Sequence, residues 1–164
     1  MKNMKKQLRV LASVLAMVLM LCLMTACSGD GIGKTVDVSY EQSEVLRLVN
    51  IERAKAGLQP LEMADPDLVA AAQERAEELP TKFSHTRPNG SSCFTALTEH
   101  GVKSSKRAEN IAAGQKTPEA VVNSWMNSSG HRANILNPRY RKIGIGYCQT
   151  DSGYGHYWVQ MFTD

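Results

Sequence analysis

From position 143 onward the chain changes period, and this limits what it can fold into more than any other feature. Ile143, Ile145 and Tyr147 alternate with Gly144, Gly146 and Cys148, and Tyr157-Trp158-Val159-Gln160-Met161-Phe162 is equally strand-like. Alternation with period two marks strands that bury a face. The segment between them, 149–156, is rich in Gly, Ser and Asp, so the two strands form a hairpin with a longish loop.

Upstream the apolar spacing is helical. Val45, Leu46, Leu48, Val49 and Ile51 give one buried face over 40–56, with Ser39 and Gln42 as a capping box and Gly57 as the stop. Asp65-Pro66 opens a second helix through Leu68, Ala71, Ala72, Ala76 and Leu79, ended at Pro80. Gln73, Glu74, Glu77 and Glu78 fall on its outer side and read as a solvated face. A loop over 83–92 follows, with breakers at Pro88 and Asn89-Gly90. Then come a short helix over 94–100, an extended segment over 106–112, and a third long helix opened by Thr117-Pro118. Ser128-Ser129-Gly130 breaks that helix, and 131–136 adds one more turn. Helices followed by strands predict an α+β domain, with helices packed on an antiparallel sheet.

The first residues are not part of this fold. Lys2, Lys5, Lys6 and Arg9 precede a nearly unbroken apolar run over 11–23, and Met24-Thr25-Ala26 leads to Cys27. This is the pattern of an export signal. The run is short for a membrane span. Its end resembles a bacterial lipobox, which implies that Cys27 is lipidated, becomes the new N-terminus and anchors the chain to the bilayer. A membrane span or plain secretion is the alternative. The expected division is therefore a lipoprotein signal peptide over 1–26, a Gly-rich tether over 27–37 and one domain over 38–164. Some 125 residues are enough for a real core.

The net charge of +3 misleads: four of the nineteen basic residues precede Cys27, none of the sixteen acidic ones do, and the remainder carries −1. A near-neutral domain gives no electrostatic case for nucleic acid. Of the four cysteines, Cys93 and Cys148 lie beyond the leader and tether. In an exported chain two such cysteines predict one disulfide, stabilising by on the order of 4 kcal/mol. The rival reading is a catalytic thiol at Cys93, eight residues after His85.

Three residues carry the chemistry. His85 lies in FSHTRPNG, Glu109 in AENIA and His131 in WMNSSGHRANIL. Two imidazoles and a carboxylate form the ligand set of an open divalent-metal site, zinc among the choices, and equally suit a small acid/base cluster. Alternatively, Glu109 ties the third long helix to the loop in a structural polar network. Arg132 is a possible partner for Glu109. His100 and His156 read as surface residues, Trp125 and Trp158 as core residues whose N–H groups need acceptors, and Asn110 as serving the backbone.

Six strings in order, LVNIERAKAGLQPLE, FSHTRPNGSSCFTAL, AENIAAGQ, VVNSWMNSSGHRANILN, YRKIGIGY and YWVQMF, resemble the CAP superfamily: cysteine-rich secretory proteins, insect antigen 5 and plant pathogenesis-related 1 proteins. The bacterial SCP-like extracellular branch is the nearest in character. The resemblance covers residues 42–162 and implies a three-layer α-β-α sandwich with a central antiparallel sheet. It implies two His and two Glu in a central cleft. His85, Glu109 and His131 match three of them, and Ser128 stands at the fourth position, where eukaryotic members have Glu.

Three functions follow as expectations. One is a surface-anchored binding module whose cleft holds a divalent metal, a small lipid or a peptide, facing an unknown envelope or host ligand. Another is a hydrolase using His85, Glu109 and His131 with Ser84, Ser128 or a metal-bound water, although neither a GxSxG elbow nor an HExxH helix is present. The third is a structural role in the cell envelope.

Overall fold

The structure, a computed structural model, describes residues 38–164; the leader, the tether and Cys27 lie outside the described residues. In chain order the elements are α1 (Tyr40–Lys55), α2 (Pro66–Glu78), α3 (Thr95–Glu99), β1 (Arg107–Ala113), α4 (Pro118–Met126), α5 (Ser129–Ile135), β2 (Lys142–Gln149) and β3 (His156–Thr163).

The helix ends follow local chemistry. Ser39 and Gln42 close a reciprocal capping box on α1, and Gly57 leaves it at φ +71°. The Asp65 side chain accepts from the Asp67 and Leu68 N–H groups, with Pro66 in the first turn of α2. Thr117 caps α4 in the same way, accepting from Ala120 N–H.

The three strands are antiparallel in the order β1-β3-β2. Alternation divides their side chains between two cores. Ala108, Ala112, Ile143, Ile145, Trp158 and Phe162 pack with Val45 and Val49 of α1, Val121, Val122 and Trp125 of α4, and Ile135 of α5. Ile111, Tyr157, Val159 and Met161 pack with Leu68, Ala71, Ala72 and Ala76 of α2 and with Ala96 and Leu97 of α3. The result is the expected α-β-α sandwich. Both tryptophans are core residues, with Trp125 Nε1 donating to Ile111 O and Trp158 Nε1 to Gln115 O.

Two expectations fail, each for a tertiary reason. The polar side of α2 is not merely solvated. β2 is an edge strand, and its outer backbone is closed by side chains: Gln73 bonds Tyr147 N–H and C=O, and Gln42 Nε2 donates to Ile145 O at 2.7 Å. Glu74 and Glu78 bind buried arginines, as described below. The disulfide also fails, because Cys93 and Cys148 are both free thiols. Cys148 lies on β2, whereas Cys93 sits beside Glu109 of β1, with β3 between those strands. Two strand spacings amount to about 10 Å, beyond the roughly 7 Å Cα separation that a disulfide can bridge.

Candidate functional site

β1 is the other edge strand, and it offers a carboxylate to one face and an amide to the other. Glu109 turns toward α2, where Arg75 waits with no solvent exposure. Arg75 Nε donates to Glu109 Oε1 at 2.9 Å, its Nη2 donates to Ser84 O at 2.8 Å, and its Nη1 pairs with Glu78. Burial opposes the charge on Arg75, but Glu109 and Glu78 outweigh it and hold its pKa above the ordinary value.

The second oxygen of Glu109 meets His85 Nδ1 at 2.6 Å. That hydrogen bond raises the imidazole pKa against the opposing effect of partial burial. The His85 ring is otherwise open, with 57% of its side chain exposed, and among the described residues its Nε2 has no hydrogen-bond partner.

The loop carrying His85 is fixed from inside. Arg87 is buried and its guanidinium gathers Glu78 at 2.8 Å, Glu99 at 2.7 Å, Thr95 at 2.9 Å and Glu74. These partners, Glu78 foremost, raise its pKa. Cys93 N–H donates to His85 O at 2.9 Å, which joins the loop to the start of α3.

Asn110 turns to the opposite face. Its Nδ2 donates to His131 O at 3.1 Å and to Gln160 Oε1 at 3.0 Å, and its Oδ1 accepts from Asn134. Neighbouring residues of one strand thus hold the His85 loop on one side of the sheet and the first turn of α5 on the other. His131, half-buried, has its pKa lowered by burial and further by the charge of His85.

His85, Cys93 and Glu109 are brought tightest together, with one donor atom from each within 4.8 Å of the others. His131 is not in that group. Burial, with Glu109 adding to it, pushes the Cys93 thiol up to about 11, so at neutral pH it is no thiolate nucleophile. Ser84 Oγ accepts from Thr86 N–H, and Ser128 precedes α5 without capping it through its side chain; neither is hydrogen-bonded to an imidazole. Glu109 takes its cation from Arg75 rather than Arg132. His100 bonds Glu74 and His156 bonds Tyr147 Oη.

The profile of the Cysteine-rich secretory protein family (CAP) matches residues 46–162. The chain belongs to that family. A CAP relative, the uncharacterized protein YkwD of Bacillus subtilis (strain 168), is 42% identical over 127 residues, covering 76% of this chain and 48% of that protein. The chain thus spans less than half of that relative. Among solved CAP structures, an extracellular protein containing a SCP domain from Bacillus anthracis str. Ames superposes at TM-score 0.67 with 27% identity, over 75% of this chain and 40% of that one. An outer surface protein from Borrelia burgdorferi shares the fold at TM-score 0.69 and 24% identity, over 81% and 98% of the two chains.

Within this CAP domain, sequence reasoning missed Arg75 and Arg87. Arg75 had a readable signal: it falls on the buried stripe of α2, in step with Leu68, Ala71, Ala72 and Leu79. A lone arginine on an apolar stripe needs a buried anion, and Glu109 is that anion. Arg87 had none, because loop sequence carries no period to violate.

Proposed function

We propose that this CAP domain is a binding module of the cell exterior, whose cleft at His85, Glu109 and His131 takes a divalent metal and presents it to a partner. The observation carrying this reading is the Arg75–Glu109–His85 chain. A buried carboxylate, fixed by an arginine, aims an exposed imidazole outward. His131 is the candidate second imidazole, on the first turn of α5, which Asn110 of β1 holds through the His131 carbonyl. Two imidazoles with a carboxylate suit zinc-class ions. A bound ion would supply an open coordination position for a carbonyl or anionic group of the partner.

A hydrolase is the weaker reading. Cys93 holds its proton, and neither Ser84 nor Ser128 is hydrogen-bonded to an imidazole among the described residues. Zinc is expected to raise the melting temperature of the wild type in a concentration-dependent way, as any ligand of the native state does. His85→Ala should abolish that rise and His131→Ala should reduce it. Identical melting with and without zinc in all three proteins would refute the metal reading, and turnover of a peptide or ester panel lost in both variants would reinstate the hydrolase.

Placement outside the cell is supported by the leader pattern before Cys27 and by the likeness to the extracellular protein from Bacillus anthracis. A lipidated Cys27 would hold the domain at a bilayer through a short tether. Cys27→Ala should move the protein from the membrane fraction to the soluble one. Equal partitioning of the two proteins would exclude the anchor.

A further inference from the structure

Cys93 is surplus to everything described so far. It is buried at the start of α3, it forms no disulfide, and it stands among the donors of His85 and Glu109 rather than in an apolar pocket. We infer that Cys93 is a metal ligand, and that with His85 and Glu109 it makes a sulfur-containing site selective for thiophilic ions of the zinc and cadmium class over magnesium, calcium and manganese. The inference rests on the metal reading above for His85 and Glu109, but not for His131.

Three observations converge. First, nitrogen, sulfur and oxygen donors come from three separate elements, a loop, a helix start and a strand, and still fall within 4.8 Å of one another. The set is that of a three-ligand zinc site with one position left open. Second, the site is rigid where it must be and mobile where it can be. Glu109 is paired in the sheet with Met161 and braced by Arg75, and the Cys93 backbone is tied to His85 O. The His85–Glu109 contact of 2.6 Å holds a proton. An ion at about 2.0 Å from nitrogen and oxygen needs those two donors roughly 3 Å apart, and the exposed His85 ring is the one free to withdraw. Its solvent side also gives the ion a way in. Third, the charges close. Arg75, Arg87 and a divalent ion are offset by Glu74, Glu78, Glu99, Glu109 and a Cys93 thiolate, so the arginine next to the metal is already neutralised.

Sulfur ligation changes the preference, because thiolate ranks zinc and cadmium far above hard oxygen-seeking cations. The thiol proton leaves to solvent as the ion enters, and the proton between His85 Nδ1 and Glu109 is displaced with it, to solvent or to Nε2 through solvent.

The test uses the full chain under anaerobic conditions, titrated with cobalt(II) and cadmium(II) as spectroscopic stand-ins for zinc. Wild type is expected to develop the sulfur-to-metal charge-transfer absorption in the ultraviolet. Cys148→Ser should retain it, Cys93→Ser should lose it, and His131→Ala should retain it. Circular dichroism of Cys93→Ser and Cys93→Ala checks that the fold survives. If both unfold, the ultraviolet band of the wild type, with its presence in a variant that has serine at positions 22, 27 and 148, decides alone. Zinc-dependent melting without any charge-transfer band would overturn the Cys93 assignment while leaving the His85/Glu109/His131 reading standing. No metal response of either kind would overturn both. Stabilisation by magnesium equal to that by zinc at the same concentration would overturn the selectivity.

Discussion

Arg75→Met is expected to destabilise the domain by about 3–5 kcal/mol, because it removes the cation from a carboxylate that cannot reach water. Methionine keeps the length and apolar stem of the side chain, so the loss is one of charge and hydrogen bonding rather than of volume. The Glu109 side chain is 1% exposed, and it would be left with one imidazole and a neutral thiol. Three groups lose their donor together: Glu109, Glu78 and the carbonyl of Ser84, one residue before His85. Arg75→Lys should recover only part of the loss. A single ammonium cannot reproduce a fork that serves two carboxylates and a carbonyl at once. Adding Glu109→Gln to Arg75→Met should restore some stability, since the stranded charge is then gone. Urea unfolding of the four proteins measures all of this. A midpoint for Arg75→Met within error of wild type would mean that Glu109 is not a buried charge, and the account of how His85 is aimed would fall with it.

What could be read from the chain beforehand followed the range of each interaction. Capping is local, so Ser39, Asp65 and Thr117 announced their helices and the structure bears them out. Strand alternation is local too, and the β2–β3 hairpin follows from it. The types at His85, Glu109 and His131 marked them as chemistry. Which of them touch depends on β1, whose two faces hold a different loop and helix, and no local pattern encodes that. The cysteines illustrate the limit. Their number allowed one bridge, but only the strand order reveals that β3 separates them. Likewise the acidic side of α2 reads as solvated until Arg87, from a later loop, folds back onto Glu74 and Glu78. Buried ion pairs between distant segments leave only one trace in sequence, a charge on an apolar stripe, and Arg75 is such a trace.

The alternating glycines of β2 are the other long-range device, and Gly146→Ala should be nearly as damaging as the loss of Arg75. A Cβ at position 146 would stand 2.0 Å from Ala72 O and 2.5 Å from Ala72 C. Those are backbone atoms inside a helix, so no side chain can swing aside. α2 must lift from the sheet or β2 must bow. Overpacking in a core typically costs about 1–3 kcal/mol, and contact against helix backbone places this case at the top of that range or above it. Gly144→Ala, facing Leu68 O at 2.2 Å, should behave alike. Gly130→Ala is the control: nothing lies within 4 Å of its added methyl, and within α5 the change should be neutral or stabilising by up to about 1 kcal/mol. The effect should reach the cleft. α2 carries Arg75 near its C-terminal end, so a displaced helix draws the guanidinium from Glu109 and loosens His85. Any metal-dependent rise in melting temperature should therefore shrink in Gly146→Ala at temperatures where the domain is still folded, while Gly130→Ala keeps it. Equal unfolding midpoints for Gly146→Ala and wild type would show that the helix and sheet can separate freely, and would remove the rigid seat on which the Arg75–Glu109 pair depends.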